Sequence, residues 1–194
     1  MKVATLRQAK WHAHLNALGA PTALRPWLAA GGSLTARLTA HSDQFRVQRL
    51  HQRTAMCLHD EARKIGMLRA GRVWEREVLL RCDEAPVVFA HTVVPLSASA
   101  ADWPLFNALG ERSLGSTLFY DPRVTRGELE FARLRAGHPL MQRARAALGG
   151  GDDTAYYARR CLYRRRRGTL LVTEVFLPAV LELELAARTP HNIK

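Results

Sequence analysis

Two charged side chains fall on otherwise apolar strand faces, and each is of a type that can do chemistry. Glu174 lies within Leu170-Leu171-Val172-Thr173-Glu174-Val175-Phe176-Leu177, and Arg76 within Val73-Trp74-Glu75-Arg76-Glu77-Val78-Leu79-Leu80. Side chains alternate faces along a strand, so Glu174 shares a face with Leu170, Val172 and Phe176, and Arg76 with Trp74, Val78 and Leu80. A buried charge left without a partner costs several kcal/mol. Either the two pair with each other, or they face a polar ligand in an apolar pocket. An arginine on such a face suits a carboxylate, because its planar fork donates two parallel hydrogen bonds. A glutamate there suits a hydroxyl or a transferable proton. Together they describe a pocket for a flat molecule with a carboxylate at one end and a hydroxyl at the other. The competing reading is a structural Arg76–Glu174 salt bridge.

Other chemistries find less support. The chain has no Gly-x-Gly-x-x-Gly, no phosphate loop and no Gly-x-Ser-x-Gly elbow. His12 and His14 have nothing downstream at metal-ligand spacing, so no metal is expected. Cys57, Cys82 and Cys161 are an odd number at no metal-like spacing and read as reduced thiols. Cys161 follows Arg159-Arg160, which would lower its pKa, but no base for a nucleophile is evident. The run Arg164–Arg167 reads as a solvated hairpin end.

The elements that must position Arg76 and Glu174 are legible in outline. Residues 22–41 predict two short helices broken at Gly31-Gly32, the second capped by Ser33 with Leu34 and Leu38 on its apolar stripe. A first strand is expected over 44–52, and a helix around Asp60-Glu61-Ala62-Arg63. Residues 72–82 and 86–96 form a hairpin about the turn Asp83-Glu84-Ala85. Helices follow at 101–109 and 113–119, the second with Ser113 as its cap. A strand covers 124–134, a loose insertion 137–153, and two strands 155–165 and 169–177 flank a turn at Arg167-Gly168, with Pro178 ending the last. This order predicts one α+β domain over 1–194, with a mainly antiparallel sheet of about six strands and a frayed tail at 189–194.

Composition sets the class of partner. The 194 residues are 47% hydrophobic and carry a formal charge of +12, nearly all of it arginine. Nucleic acid, an anionic surface or a small anionic substrate would each suit such a field. The arginines are dispersed and no nucleic-acid motif is present, which counts against nucleic acid. The start leads into no apolar signal region, and no stretch approaches the roughly 20 apolar residues of a membrane span. A soluble, cytoplasmic chain is expected.

One ordered set of segments carries a resemblance. Trp74-Glu75-Arg76-Glu77-Val78-Leu79-Leu80 leads to His91-Thr92-Val93-Val94-Pro95, then Leu109-Gly110, Leu114-Gly115-Ser116-Thr117-Leu118-Phe119 and Thr125-Arg126. The series closes on Leu171-Val172-Thr173-Glu174-Val175-Phe176-Leu177-Pro178. In order and spacing it resembles the bacterial chorismate lyases over about residues 20–185. The resemblance implies helical flaps closing a buried site on an antiparallel sheet. It also implies a monomeric enzyme that converts chorismate to 4-hydroxybenzoate and pyruvate, the entry step to ubiquinone, without metal or organic cofactor. By position, it assigns Arg76 to the ring carboxylate and Glu174 to the ring hydroxyl. The backbone N–H of Leu114 would donate to the carboxylate, with a second donor within Ser33-Leu34-Thr35, where Leu34 replaces a methionine familiar in the family. Arg126 is a lesser candidate for the enolpyruvyl carboxylate, because strict alternation gives it a face shared with Glu128 and Glu130, where a cross-strand ion pair would serve equally; Arg160 has the same rank. The rival from another class is a non-catalytic effector-binding domain of a transcription regulator, although no helix-turn-helix precedes residue 40.

Overall fold

The computed structural model describes residues 8–98, 102–104, 106, 108–150 and 154–186. Among them, six strands form one antiparallel sheet: β1 (Phe45–Met56), β2 (Arg72–Cys82), β3 (Ala85–Pro95), β4 (Val124–Leu134), β5 (Tyr156–Arg165) and β6 (Gly168–Phe176). The spatial order is β1-β2-β3-β6-β5-β4, so β3 and β6 are the central pair. The helices are α1 (Arg25–Ala29), α2 (Leu34–Thr39), α3 (His59–Ala62), α4 (Leu114–Tyr120), α5 (Pro139–Ala147) and α6 (Val180–Ala186). None is long and apolar enough to cross a membrane. The α+β class and the antiparallel sheet are as expected. The expected helix over 101–109 is not seen at residues 103, 104, 106, 108 and 109, which are turn or irregular backbone, while 101, 105, 107 and the tail at 189–194 lie outside the described residues.

Sequence explains the sharp corners. Asp83 and Glu84 both adopt positive φ, 48° and 71°, which makes the β2–β3 connection a two-residue turn whose twist matches the strands it joins. Ala85 therefore belongs to β3, pairing with Cys82, rather than to the turn. The β5–β6 turn is Arg166-Arg167, with Arg166 at φ 54°, one residue earlier than expected, and Gly168 already pairs with Arg165. β1 runs four residues further than its predicted end, because it stays in register with β2 out to Met56 opposite Arg72.

Alternation divides the sheet into two faces, each covered by helices. The front carries Val78, Leu80 and Phe176 against Trp27, Leu28, Leu34 and Leu38 of α1 and α2. Toward its other end Cys161, Tyr163 and Leu170 pack against Leu118 of α4, Trp103 and Phe106. The back carries Leu79, Phe89, Val175 and Ala158 against Leu140, Met141 and Ala144 of α5.

That last helix corrects one expectation. The sequence predicts a loose insertion over 137–153, yet 139–147 are helical and closely packed. His138 caps the helix, accepting from the Leu140 amide at 3.2 Å, and Pro139 takes the first turn, where its missing N–H costs nothing. Residues 151–153 lie outside the described residues.

Candidate functional site

The front face and two short helices enclose a cavity lined by Arg76, Val78 and Leu80 of β2, Ala90 and Thr92 of β3, Val172 and Glu174 of β6, and Arg159, Cys161 and Tyr163 of β5. Leu34 and Thr35 of α2, Leu114, Gly115 and Leu118 of α4, and Arg126 and Leu129 of β4 complete it. Five of the six residues proposed from sequence are therefore together: Arg76, Glu174, Leu114, Leu34 and Arg126. Arg160 is not among them. Being one residue from Arg159, it points to the back face, donating to Glu130 at 2.7 Å and to the Asp60 carbonyl at 3.1 Å, with its guanidinium 4.2 Å from the Trp11 ring centre.

Arg76 and Glu174 do not pair. β3 lies between their strands, with Arg76 opposite Thr92 and Glu174 opposite Ala90. Arg76 is 2% exposed and donates to Gln52 Oε1 at 3.2 Å, Gly110 O at 2.8 Å and Arg112 O at 3.2 Å. It has no carboxylate partner among the described residues. Burial, followed by the nearby Arg49 charge, lowers its pKa, the expected sign for a cation taken from water without a counter-ion. The carbonyls it bonds lie in the segment leading into α4, so Arg76 anchors that flap as well as facing the cavity.

Glu174 is held by Arg159, which the sequence reading did not single out. The two are direct cross-strand neighbours, and Arg159 Nε donates to Glu174 Oε2 at 2.5 Å. Arg159 is 1% exposed, and its Nη1 reaches the carbonyls of Trp27 (3.2 Å), Leu28 (3.2 Å) and Ala30 (2.7 Å) at the end of α1. Glu174 Oε1 makes no hydrogen bond to a described residue. It is the oxygen left for a ligand.

Arg126 reaches the cavity because β4 is bulged. Pairing with β5 shifts between Arg126 and Leu129, which puts these two on one face and sends Glu130 to the back with Arg160 and Lys64. The expected face-sharing of Arg126 with Glu130 is thereby broken. Gly127 permits the bulge, since a Cβ there would stand 2.9 Å from the Leu162 carbonyl oxygen. Arg126 Nη1 donates to the carbonyl of Gly31, in the link between α1 and α2. Burial pushes the Cys161 thiol and the Tyr163 phenol up, so both are neutral walls of the cavity, and Cys161 is no activated nucleophile.

Leu34 and Leu114 are the first residues of α2 and α4, where amides have no acceptor within their own helix. The two helix starts meet over the cavity. Ser33 caps α2 as expected, accepting from the Ala36 amide at 3.3 Å, which contributes about 1 kcal/mol. Ser113 makes no such side-chain cap on α4; its hydroxyl lies 2.6 Å from Thr35 Oγ1 and joins the flaps instead. A Cβ on Gly115 would stand 2.9 Å from Thr35 Oγ1, so glycine is what lets the seam close.

Comparison with known proteins agrees with this architecture. Residues 5–184 match the family described as "Chorismate lyase", and the chain belongs to that family. A protein of Ralstonia nicotianae named "Probable chorismate pyruvate-lyase" is 54% identical over 157 residues, covering 79% of this chain and 80% of its own. One of the same name from Cupriavidus metallidurans is 47% identical over 176 residues, covering 90% and 82%. Among solved structures, the effector domain of PhnF from Mycobacterium smegmatis superposes with a TM-score of 0.52 at 16% identity, covering 76% of this chain and 89% of that one. A GntR-family regulator from Bacillus cereus gives 0.53 at 12% identity, covering 70% and 93%. These two show a shared fold.

Proposed function

We propose that the chain is a chorismate pyruvate-lyase, acting as a cytoplasmic monomer at the first step of ubiquinone biosynthesis. The observation that carries this reading is the pairing of a buried, carboxylate-free Arg76 at one end of the cavity with the open Oε1 of Glu174 at the other. A para-substituted ring carrying a carboxylate and a hydroxyl matches that polarity, and chorismate carries the same two groups before aromatisation.

Arg76 holds the ring carboxylate through its fork, and the amides of Leu114 and of the Ser33–Thr35 turn complete its hydrogen bonds. Glu174, kept in place by Arg159, accepts the C4 hydroxyl. In the reaction the C3–O bond breaks with its electrons on the enolpyruvyl oxygen, C4 loses its proton, and the protonated enolpyruvate tautomerises to pyruvate. Aromatisation drives this chemistry. The protein therefore acts mainly by holding one conformer, excluding water beneath the flaps and countering the departing charge. Arg126 is the cation for that charge, exchanging the Gly31 carbonyl for the enolpyruvyl carboxylate.

The test is incubation of the purified chain with chorismate, with chromatography for 4-hydroxybenzoate and pyruvate. Equimolar formation of both is expected. Saturable 4-hydroxybenzoate binding without turnover would instead place the chain with the effector domains that share its fold.

A further inference from the structure

We propose that Arg159 is a positioning residue that couples the Glu174 carboxylate to the hinge of the first flap. The inference rests on the reading of Glu174 as the partner of the ring hydroxyl. It starts from the geometry of a single side chain. Arg159 Nε is committed to Glu174 Oε2, and Nη1 to three carbonyls of the segment from Trp27 to Ala30. Immediately beyond Ala30 come Gly31 and Gly32, where an added Cβ would meet nothing within 4 Å, and then Ser33 and Leu34 at the start of α2. The chain that must bend for α2 to lift is therefore tied at its root to the residue that orients Glu174.

Two physical consequences follow. First, Arg159 selects which Glu174 oxygen faces the ligand, since it occupies Oε2 and leaves Oε1 open. Second, Glu174 shares its only cation among the described residues with the hinge. An event that strengthens or weakens the Glu174–Arg159 bond, such as arrival of a phenol hydrogen on Oε1, alters the hold of the same guanidinium on the Ala30 carbonyl. The bond to Glu174 fixes the orientation in which the guanidinium meets those carbonyls, so its loss frees the group to turn away from the hinge. Lysine in place of Arg159 keeps a positive charge, but its compact ammonium lacks the planar fork that bridges Glu174 and the carbonyls at once.

The test uses binding of 4-hydroxybenzoate and of benzoate, which lacks the hydroxyl, to wild type, Glu174→Gln, Arg159→Lys and the double variant. Amide hydrogen exchange over residues 30–35 is measured alongside. Wild type should prefer 4-hydroxybenzoate by about 10-fold, the scale of one hydrogen bond to a charged group. Each single variant should lose most of that preference while still binding benzoate, and the double variant should lose no more. Glu174→Gln should also speed exchange over residues 30–35 while leaving the sheet unchanged. A merely structural Arg159 would weaken both ligands alike and add to the effect of Glu174→Gln. If Glu174→Gln abolishes the preference and Arg159→Lys keeps it, the coupling is wrong though the hydroxyl assignment stands. If Glu174→Gln keeps the preference, the hydroxyl assignment itself fails. Should Arg159→Lys not fold, unchanged exchange at 30–35 in Glu174→Gln overturns the proposal on its own, and faster exchange supports it.

Discussion

The two faces of the sheet handle buried charge in opposite ways. On the back, charges saturate one another. His91 is fully buried between Glu61 and Glu77, each 3.0 Å away, and Arg143 Nη1 bridges Glu75 and Glu77 at 2.7 Å to both. His51 adds a contact of 2.9 Å to Glu75. His51, Glu75 and Glu77 have the spacing of metal ligands, but Arg143 already supplies their countercharge. On the front, Arg76 has carbonyls and no carboxylate, and Glu174 keeps one oxygen open. Both patterns occur within Glu75-Arg76-Glu77, where alternation sends the glutamates back and the arginine forward. A strand can thus carry consecutive charges, one set structural and the other kept for a ligand.

This contrast yields predictions that differ by face. The largest effect should come from Arg76→Ala, which removes the carboxylate anchor: 4-hydroxybenzoate affinity should fall by about 100-fold or more, as when a buried charge loses its partner. Calorimetric titration measures this. Next in size is His91→Gln on the back, which leaves two glutamates facing each other. Urea unfolding should show a loss of roughly 3–5 kcal/mol, with KM little altered. A comparable loss of stability in Arg76→Met would break the contrast, since that side chain has no ion pair to lose.

A pH dependence follows from the same cluster. Burial alone would lower the His91 pKa, but Glu61 and Glu77 overcome it and push it up to about 10. That stabilisation is present below the ordinary histidine pKa of about 6.5 and is lost as pH rises toward 10. Glu77, which burial would raise, is brought down to about 2 by His91 and Arg143. Its contribution is present above the usual glutamate pKa of about 4.3 and is lost as pH falls toward 2. Thermal midpoints should therefore be highest between these limits and decline above neutrality, and His91→Gln should flatten the alkaline decline. The smallest effect belongs to the flap seam. Thr35→Val removes the hydroxyl pair with Ser113 and should speed release of 4-hydroxybenzoate by roughly 5-fold in stopped flow, the scale of one neutral hydrogen bond.

Much of this was legible in the sequence, because alternation and turn chemistry are local signals. Arg76 and Glu174 stood out as charges on apolar faces, and Gly31-Gly32 with Ser33 marked the first flap. What escaped depended on register. Counting outward from the turn Arg166-Arg167 places Arg159 opposite Glu174, whereas counting from Arg167-Gly168 places Cys161 there. The shifted register thus leaves no arginine opposite Glu174, and the arginine named from sequence, Arg160, faces the other side of the sheet. The bulge at Gly127 similarly invalidated a face count along β4, and its only signal was a glycine inside a strand. For α5, His138-Pro139 and the spacing of Leu140 and Ala144 are adequate helix signals, followed by the glycines 149–151 that suggest a loop.

The central claim is that the front face keeps Arg76 for a ligand carboxylate. It is tested most directly by titrating 4-hydroxybenzoate into wild type and Arg76→Ala, with thermal melting run on both. Saturable binding to wild type, lost in a variant that still melts cooperatively, is the predicted result. Undiminished binding to Arg76→Ala would contradict it and return Arg76 to the structural role that its carbonyl contacts also allow.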